Sequence, residues 1–343
     1  MPPRDATRND LTRRRLLLAG AAAGLLTACG AGPAGSAGSP SPSADRRRSR
    51  WSFTDDRGVA VTLPSPPERI VSYIGTAAVL WDFGVRPVGV FGPQRQEDGT
   101  PEPGTGRVDL NTVQSVGDNF EEVELERLAA VEPDLIVTGL VAEDTLQVIA
   151  EAQAAAIARI APLVAVQGFG KSATEILAGY ERLAGALGAD LQSVELTRAR
   201  DQLTAASAEL RAAILAKPGL LTIFTYAATE GLSVAKVEDF PDLVEYQRLG
   251  LDIVKAGGDD DFYELLSWEN ANQYPADLIL HDERTFSLQP DDLAEYPTWG
   301  ELPAVKAGQV RRWNAETILS YQGFAAAASR LAGDVREARA DVV

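Results

Sequence analysis

The chain is poor in the side chains that most often do chemistry. Its 343 residues include one cysteine, Cys29, one histidine, His281, and one methionine. A lone cysteine excludes an internal disulfide. One histidine beside one cysteine excludes the His- or Cys-built centres that hold zinc or manganese. Positive charge is also scarce. Lys and Arg number 32 against 49 Asp and Glu, for a formal charge of -17. That balance argues against nucleic acid, which needs basic patches to meet its phosphates. Long apolar runs are missing too: the one continuous stretch, Leu16 to Leu26, is too short to span a bilayer. What remains is a chain long enough for one large or two medium domains with real cores. Its acidic surface suits docking on a basic partner.

Residues 1–28 have the three parts of an export signal: basic (Arg4, Arg8, Arg13 to Arg15), apolar, then small. Thr12-Arg13-Arg14-Arg15-Leu16-Leu17 resembles a twin-arginine signal, and three arginines also serve an ordinary secretion signal. Leu26-Thr27-Ala28-Cys29 resembles the bacterial lipobox. That resemblance implies cleavage before Cys29, lipidation of its sulfur, and a membrane tether without a transmembrane helix. The alternative, a buried structural cysteine, sits poorly with a position where an apolar signal run ends. Residues 29–50 are rich in Gly, Ser, Pro and Ala and cannot bury a core, so they read as a disordered tether. Arg46, Arg47, Arg48 and Arg50 at its end suit anionic headgroups or plain solvation equally. Cleavage would leave a chain near -20, because the signal carries five Arg and two Asp.

From Trp51 onward the pattern alternates strands and helices. Two short strands surround a turn at Asp56-Arg57-Gly58. Strands follow at Arg69–Tyr73, Pro87–Phe91, Leu135–Thr138 and Ile157–Ile160, with helices at Thr76–Phe83, Glu121–Val131 and Glu143–Ala155. Such alternation implies a mostly parallel sheet. Gly92 to Thr112 is a polar, Pro- and Gly-rich excursion of the kind that covers a site. Lys171 to Gly188 then reads as one amphipathic helix, with Ile176, Leu177, Tyr180, Leu183, Ala184 and Leu187 at helical spacing. A second helix, about Leu191–Ala216, precedes a restart of the same grammar. Strands are expected at Leu221–Tyr226, Asp252–Val254, Leu278–His281 and Gln309–Trp313. Helices are expected at Pro241–Leu249, Ser267–Gln273 and Ser320–Ala340. A short repeat marks both halves: Glu126 lies eight positions before Asp134-Leu-Ile, and Glu269 eight before Asp277-Leu-Ile.

These features together resemble the substrate-binding lipoproteins of iron–siderophore and cobalamin ABC importers. The resemblance runs from about Trp51 to the C-terminus. It rests on Pro67-Glu68-Arg69-Ile70-Val71, on Glu126-Arg127-Leu128 through Pro133-Asp134-Leu135-Ile136, on the single inter-lobe helix, and on Trp299-Gly-Glu-Leu-Pro-Ala-Val-Lys-Ala-Gly-Gln-Val310. It implies an α/β fold of two Rossmann-like lobes joined by one long rigid helix. The expected divisions are an N-terminal lobe at 51–170, the helix at 171–189 and a C-terminal lobe at 190–343. It further implies a monomer without a cofactor of its own, capturing a ferric siderophore, an Fe(III) chelate, in the cleft. Delivery would be to an ABC permease, at the outer face of the cytoplasmic membrane. One surface glutamate per lobe would dock on permease arginines, and Glu126 and Glu269 match those positions. A helix-start glutamate favoured by the dipole is the plainer reading of each.

Ligands of open α/β sheets bind outside the carboxyl ends of the strands. That rule selects Tyr73 and Arg95 on the first half, and Tyr226, Lys236, Arg284, Trp313 and Tyr321 on the second. A bulky, often anionic chelate needs aromatic walls and an arginine or two, not metal ligands. Each candidate has a plainer role: Tyr73 and Tyr226 as core, Arg284 in a surface ion pair, Trp313 under the last helix. Ala165-Val-Gln-Gly-Phe-Gly-Lys-Ser172 resembles a phosphate-binding loop but has Ala165 where the first glycine belongs. Cobalamin and haem stay open as cargo, as do all siderophore chelate classes. An enzyme on a similar scaffold fares worse: there is no Gly-x-Ser-x-Gly elbow, no Gly-x-Gly-x-x-Gly after a strand, and one histidine for acid–base work.

Overall fold

The computed structural model describes residues 50–120, 123–142 and 144–343. The export signal, the lipidation candidate Cys29 and most of the tether lie outside the described residues, as do Glu121 and Glu143, where two helices were expected to start.

Strands β1 (Trp51–Thr54) and β2 (Ala60–Leu63) pair antiparallel around a turn whose Gly58 has φ +78°. Asp55 fastens this hairpin to the first sheet. Its buried carboxylate accepts from Arg57, from the Val59 amide and, 3.1 Å away, from the Ala165 amide.

The first sheet is wholly parallel. Its order is β5 (Gln114–Ser115), β4 (Gly89–Phe91), β3 (Ile70–Tyr73), β6 (Leu135–Leu140) and β7 (Leu163–Gln167). Helices α1 (Ile74–Asp82), α2 (Leu125–Ala130) and α3 (Glu151–Ile160) make the crossovers. Two expectations fail here. Ile157–Ile160 is the last turn of α3, not a strand. The alanine-rich Ala154-Ala-Ala-Ile-Ala-Arg run favours helix, and Pro162 delays the strand to Leu163. Residues 145–149 are not helical either: Leu146 bridges back to Leu140, and the Gln147 amide donates to Gly139 O at 2.8 Å. Val148 holds φ +60° in this fold-back, a costly place for a β-branched residue.

Helix α4 (Ala173–Ala186) is the inter-lobe rod. Ser172 caps it, with Glu175 reaching back to complete a capping box. This explains the apparent phosphate loop: its serine and glycines deliver the chain into a helix. Ile176, Tyr180 and Leu183 are buried, each contributing about 1.5–3 kcal/mol of apolar burial. They belong to one continuous core that takes in Val137 and Val166 of the first sheet as well as residues of the second.

The second sheet runs β11 (Tyr263–Ser267), β9 (Gly231–Ala235), β8 (Leu221–Ala228), β12 (Leu278–Asp282), β13 (Val310–Trp313), with β10 (Asp252–Ile253) beside the start of β8. β8, β10, β12 and β13 are parallel; β9 pairs antiparallel with β8, and β11 antiparallel with β9. The helix expected at Ser267–Gln273 is a single 3₁₀ turn, Trp268–Asn270, because β11 uses the chain up to Ser267. Short helices α7 (Pro290–Leu293), α8 (Pro297–Glu301) and α9 (Pro303–Lys306) join β12 to β13. Long helices α5 (Val194–Leu215) and α10 (Tyr321–Glu337) pack along each other beside α6 (Pro241–Arg248).

The short repeat has a structural meaning. Asp134 accepts from the Glu68 and Arg69 amides at 2.7 and 2.9 Å, where β3 begins. Asp277 accepts from the Leu221 amide at 2.9 Å, where β8 begins. In each half this aspartate holds the entry of the central strand.

Candidate functional site

The carboxyl ends of β3, β4 and β12 face one another across a cavity of about 220 Å³. Tyr73, the last residue of β3, forms its floor. The ring fits only because two glycines flank it: a Cβ on Gly92 or Gly75 would lie 2.7 or 2.8 Å from ring carbons. Its hydroxyl donates to Glu316 Oε2 at 2.6 Å, a contact from the first half of the chain to the second. Burial, with Glu316 adding to it, raises the phenol well above its ordinary pKa, so it is a hydrogen-bond donor throughout.

Arg284 is the other fixed point. Its Nε and Nη2 grip Asp282 at 2.8 and 2.5 Å, Nη1 lies 3.7 Å from Glu316, and the guanidinium sits 4.5 Å over Phe286. Burial works against its charge, but Asp282 and then Glu316 outweigh that and raise its pKa. Glu316 thus binds Tyr73 and Arg284 at once, with Gln147 Nε2 3.4 Å from Oε1. Glu102 accepts from the Thr285 hydroxyl, a second bond between halves. Phe120 and Phe286 meet edge-to-face at 5.6 Å with nearly half of each exposed, and Tyr226 lies 5.7 Å from Phe286. The result is an aromatic mouth over a polar floor.

A second, larger cavity, about 480 Å³, opens on the α10 side. Its floor is Gly323, Ala326 and Ala327, and its charges are paired: Arg107 with Asp82 at 2.6 Å, Arg330 with Glu283 at 3.4 Å. Polar groups converge on the first cavity, which is therefore the candidate site.

Of the residues selected from sequence, Tyr73, Arg95 and Arg284 line that cavity, and Tyr226 stands beside its aromatic wall. Arg95 is exposed and donates to Gly99 O at 2.9 Å. Three others turn elsewhere. Trp313 is 3% exposed and donates to Asp242 at 2.8 Å from within the core, packed on Phe224 and Phe240. Lys236 spends its ammonium on the carbonyls of Gly258 and Asp260, holding the loop before β11. Tyr321 donates to Glu181 at 2.9 Å, on α4, and faces Arg200 and Phe83. The end of β13 and the start of the last helix were located correctly, but pleat and helix phase turned Trp313 and Tyr321 inward; Lys236 follows β9, a strand that was not expected. Reasoning from sequence missed Glu102, Phe120, Gln147, Phe286 and Glu316. Phe286, two residues past Arg284, was the one with a visible signal.

His281 is structural. Nδ1 accepts from Thr225 at 2.9 Å and Nε2 donates to Leu288 O at 2.8 Å, which assigns the tautomer, while burial lowers its pKa. Glu126 and Glu269 are exposed, in the first turn of α2 and in the 3₁₀ turn after β11. Trp268 stacks on Tyr296 at 4.0 Å and so leaves its neighbour Glu269 facing solvent. Among the described residues no helix is long and apolar enough to cross a membrane. No cluster of three or more His, Cys, Asp or Glu among them is arranged to hold a metal ion.

Residues 78–317 match the family model described as periplasmic binding protein. No protein of curated function matches. Among solved structures, DesE, a ferric-siderophore receptor protein from Streptomyces coelicolor, is 36% identical with a TM-score of 0.81, over 84% of this chain and 99% of that one. The FhuD protein from S. pseudintermedius (18%, TM-score 0.60, 84% and 99%) shares the fold. So does VctP, the periplasmic catecholate-siderophore binding protein of Vibrio cholerae (17%, 0.57, 84% and 99%).

Proposed function

Because the chain belongs to the periplasmic binding protein family, a family of extracytoplasmic solute-binding transport components and not of enzymes, we propose that its solute is a ferric siderophore. The observation that carries this is the cavity between strand ends, walled by Phe120 and Phe286, with Tyr226 packed beside Phe286, and floored by Tyr73, Arg284 and Glu316. Aromatic faces suit a bulky chelate, and the floor offers hydrogen bonds to its outer oxygens, not ligands to its metal. The likeness to a ferric-siderophore receptor at 36% identity supports the same reading. The lobes at 51–170 and 190–343, joined by the 171–189 helix, would then act as jaws and spine. Delivery would proceed by docking on an ABC permease through Glu126 and Glu269, from a lipid anchor on Cys29.

A fluorescence titration tests the cargo. Ferric siderophores should quench the tryptophans saturably, whereas cobalamin and haem should not. Saturable quenching by cobalamin or haem alone would replace the reading. Glu126→Arg with Glu269→Arg should abolish uptake and leave affinity unchanged. A loss of affinity in that double variant would show that the two glutamates serve the cleft instead.

A further inference from the structure

The charges around the candidate cleft do not suit an anionic ligand. Two cations line it, Arg95 and Arg284, against three carboxylates, Glu102, Asp118 and Glu316. Counting the ion-pair partners of the lining does not reverse this. Asp282 holds Arg284, while Asp118 lies 3.9 Å from Arg127, which is itself 2.9 Å from Glu124. The sum is two negative charges. The second cavity adds none, since Arg107 and Arg330 are matched by Asp82 and Glu283. The guanidinium that sequence reasoning offered to an anionic chelate is already occupied. Asp282, fully buried behind it, and Glu316 beside it cancel its charge and leave it a donor to neutral oxygens. The whole chain, at -17, repels anions at longer range as well.

We propose that this cleft selects ferric chelates of zero or positive net charge and rejects trianionic ones, with Glu102, Asp118 and Glu316 as the specificity-determining residues. The chemical class is a tris-hydroxamate, whose three monoanionic groups neutralise Fe(III), with or without a pendant ammonium. A tris-catecholate, whose three dianionic groups leave a charge of three minus, is excluded. Glu316 acts at the floor and Glu102 in the partition between halves. Asp118 acts at the rim, where its side chain is 60% exposed. This inference rests on the ferric-siderophore reading and goes beyond it by naming the sign of the cargo.

The test is a titration of the full chain with three ferric probes. These are a linear tris-hydroxamate bearing a free ammonium, a cyclic tris-hydroxamate without one, and a tris-catecholate. The two hydroxamates should bind at least about 100-fold tighter than the catecholate at low salt, and the gap should narrow as salt is raised. Asp118→Asn, at an exposed rim position, should narrow the gap about tenfold, and Glu102→Gln further. Equal or tighter binding of the catecholate would overturn the charge rule while keeping the siderophore reading. Binding of none of the three would overturn both. Hydroxamate preference unchanged in Asp118→Asn and Glu102→Gln would remove these carboxylates from the explanation.

Discussion

The two halves of this molecule begin alike and end differently. Each central strand starts under an aspartate that accepts backbone amides, Asp134 over β3 and Asp277 over β8. At the carboxyl ends the likeness stops. The first sheet finishes in Tyr73, set between two glycines, and reaches across the cleft with one hydroxyl. The second finishes in a charged cluster, Asp282–Arg284, that meets Glu316 in the loop after β13. Strand starts are determined by what a sheet needs, so both halves converge on one solution. Strand ends are free of that demand, and there the halves divide the work between a buried tyrosine with one hydroxyl and a charged clamp.

The strand starts offer the strongest way to break this equivalence. Asp277 is 3% exposed and also accepts from the Val342 and Val343 amides at 3.0 and 3.3 Å. Asp134 is half-buried and accepts from two amides. Asp277→Ala should therefore cost about 3–5 kcal/mol, and Asp134→Ala about 1–2, since unmet buried donors dominate the loss. Urea unfolding of both variants measures the difference. Equal costs would mean that the shared motif, not burial, sets the energy.

The same contrast explains what was legible in advance. The α/β alternation, the rod helix and most strand positions come from periodicity, and periodicity survives folding because sheets and helices bury one face. The strand edges β9 and β11 were missed: Gly231–Ala235 and Tyr263–Ser267 are short, and their pairings, β9 on β8 and β11 on β9, are the antiparallel ones in an otherwise parallel sheet. Nothing local announces such a partner. The site was half legible. Strand-end logic found Tyr73 and Arg284, but could not tell that Trp313, on an equivalent strand end, turns to Asp242. Glu316 was invisible because its role depends on three partners, Tyr73, Gln147 and Arg284, from distant parts of the chain. Gln147 lay in what read as a helix.

Buried carboxylates sharpen the comparison further. Asp55 in the first half has Arg57 against it at 2.6 Å, whereas Asp242 in the second has two neutral donors, Trp313 and Thr317 at 2.8 and 3.2 Å. Burial raises Asp242 to about 6, and its hydrogen bonds offset only part of that. The folded pKa is above the unfolded one, so the native state takes up a proton between about pH 4 and 6. Its contribution to stability falls as pH rises through that window and is flat above it. Asp242→Asn keeps a carbonyl acceptor and has no such dependence. Relative to the parent it should gain on the order of 3 kcal/mol between pH 4 and 7. Urea unfolding at both ends of the window measures this, and a parent–variant difference that does not change with pH would contradict the neutral pairing.

The smallest effect concerns the element that both halves share. Helix α4 packs on the first sheet and touches the second half too, with Thr174 donating to Glu245 of α6 at 2.9 Å. Gly179 and Gly185 are its interior glycines. At Gly185 a Cβ would come within 2.9 Å of the Leu191 side chain, so that glycine has a packing reason. At Gly179 the Cβ would meet Val166 at 3.4 Å and Asp56 at 3.6 Å, which is ordinary contact. No left-handed backbone requires glycine there, since Gly179 is not among the positive-φ residues. Gly179→Ala should then stabilise the protein by about 0.5–1 kcal/mol through helix propensity and a less disordered unfolded chain. If the helix is a spine that holds the jaws at fixed spacing, siderophore affinity and association rate will not move. If Gly179 is a hinge that lets the halves close, the same variant will slow association while raising stability, and the equivalence of the two halves will give way to one moving against the other.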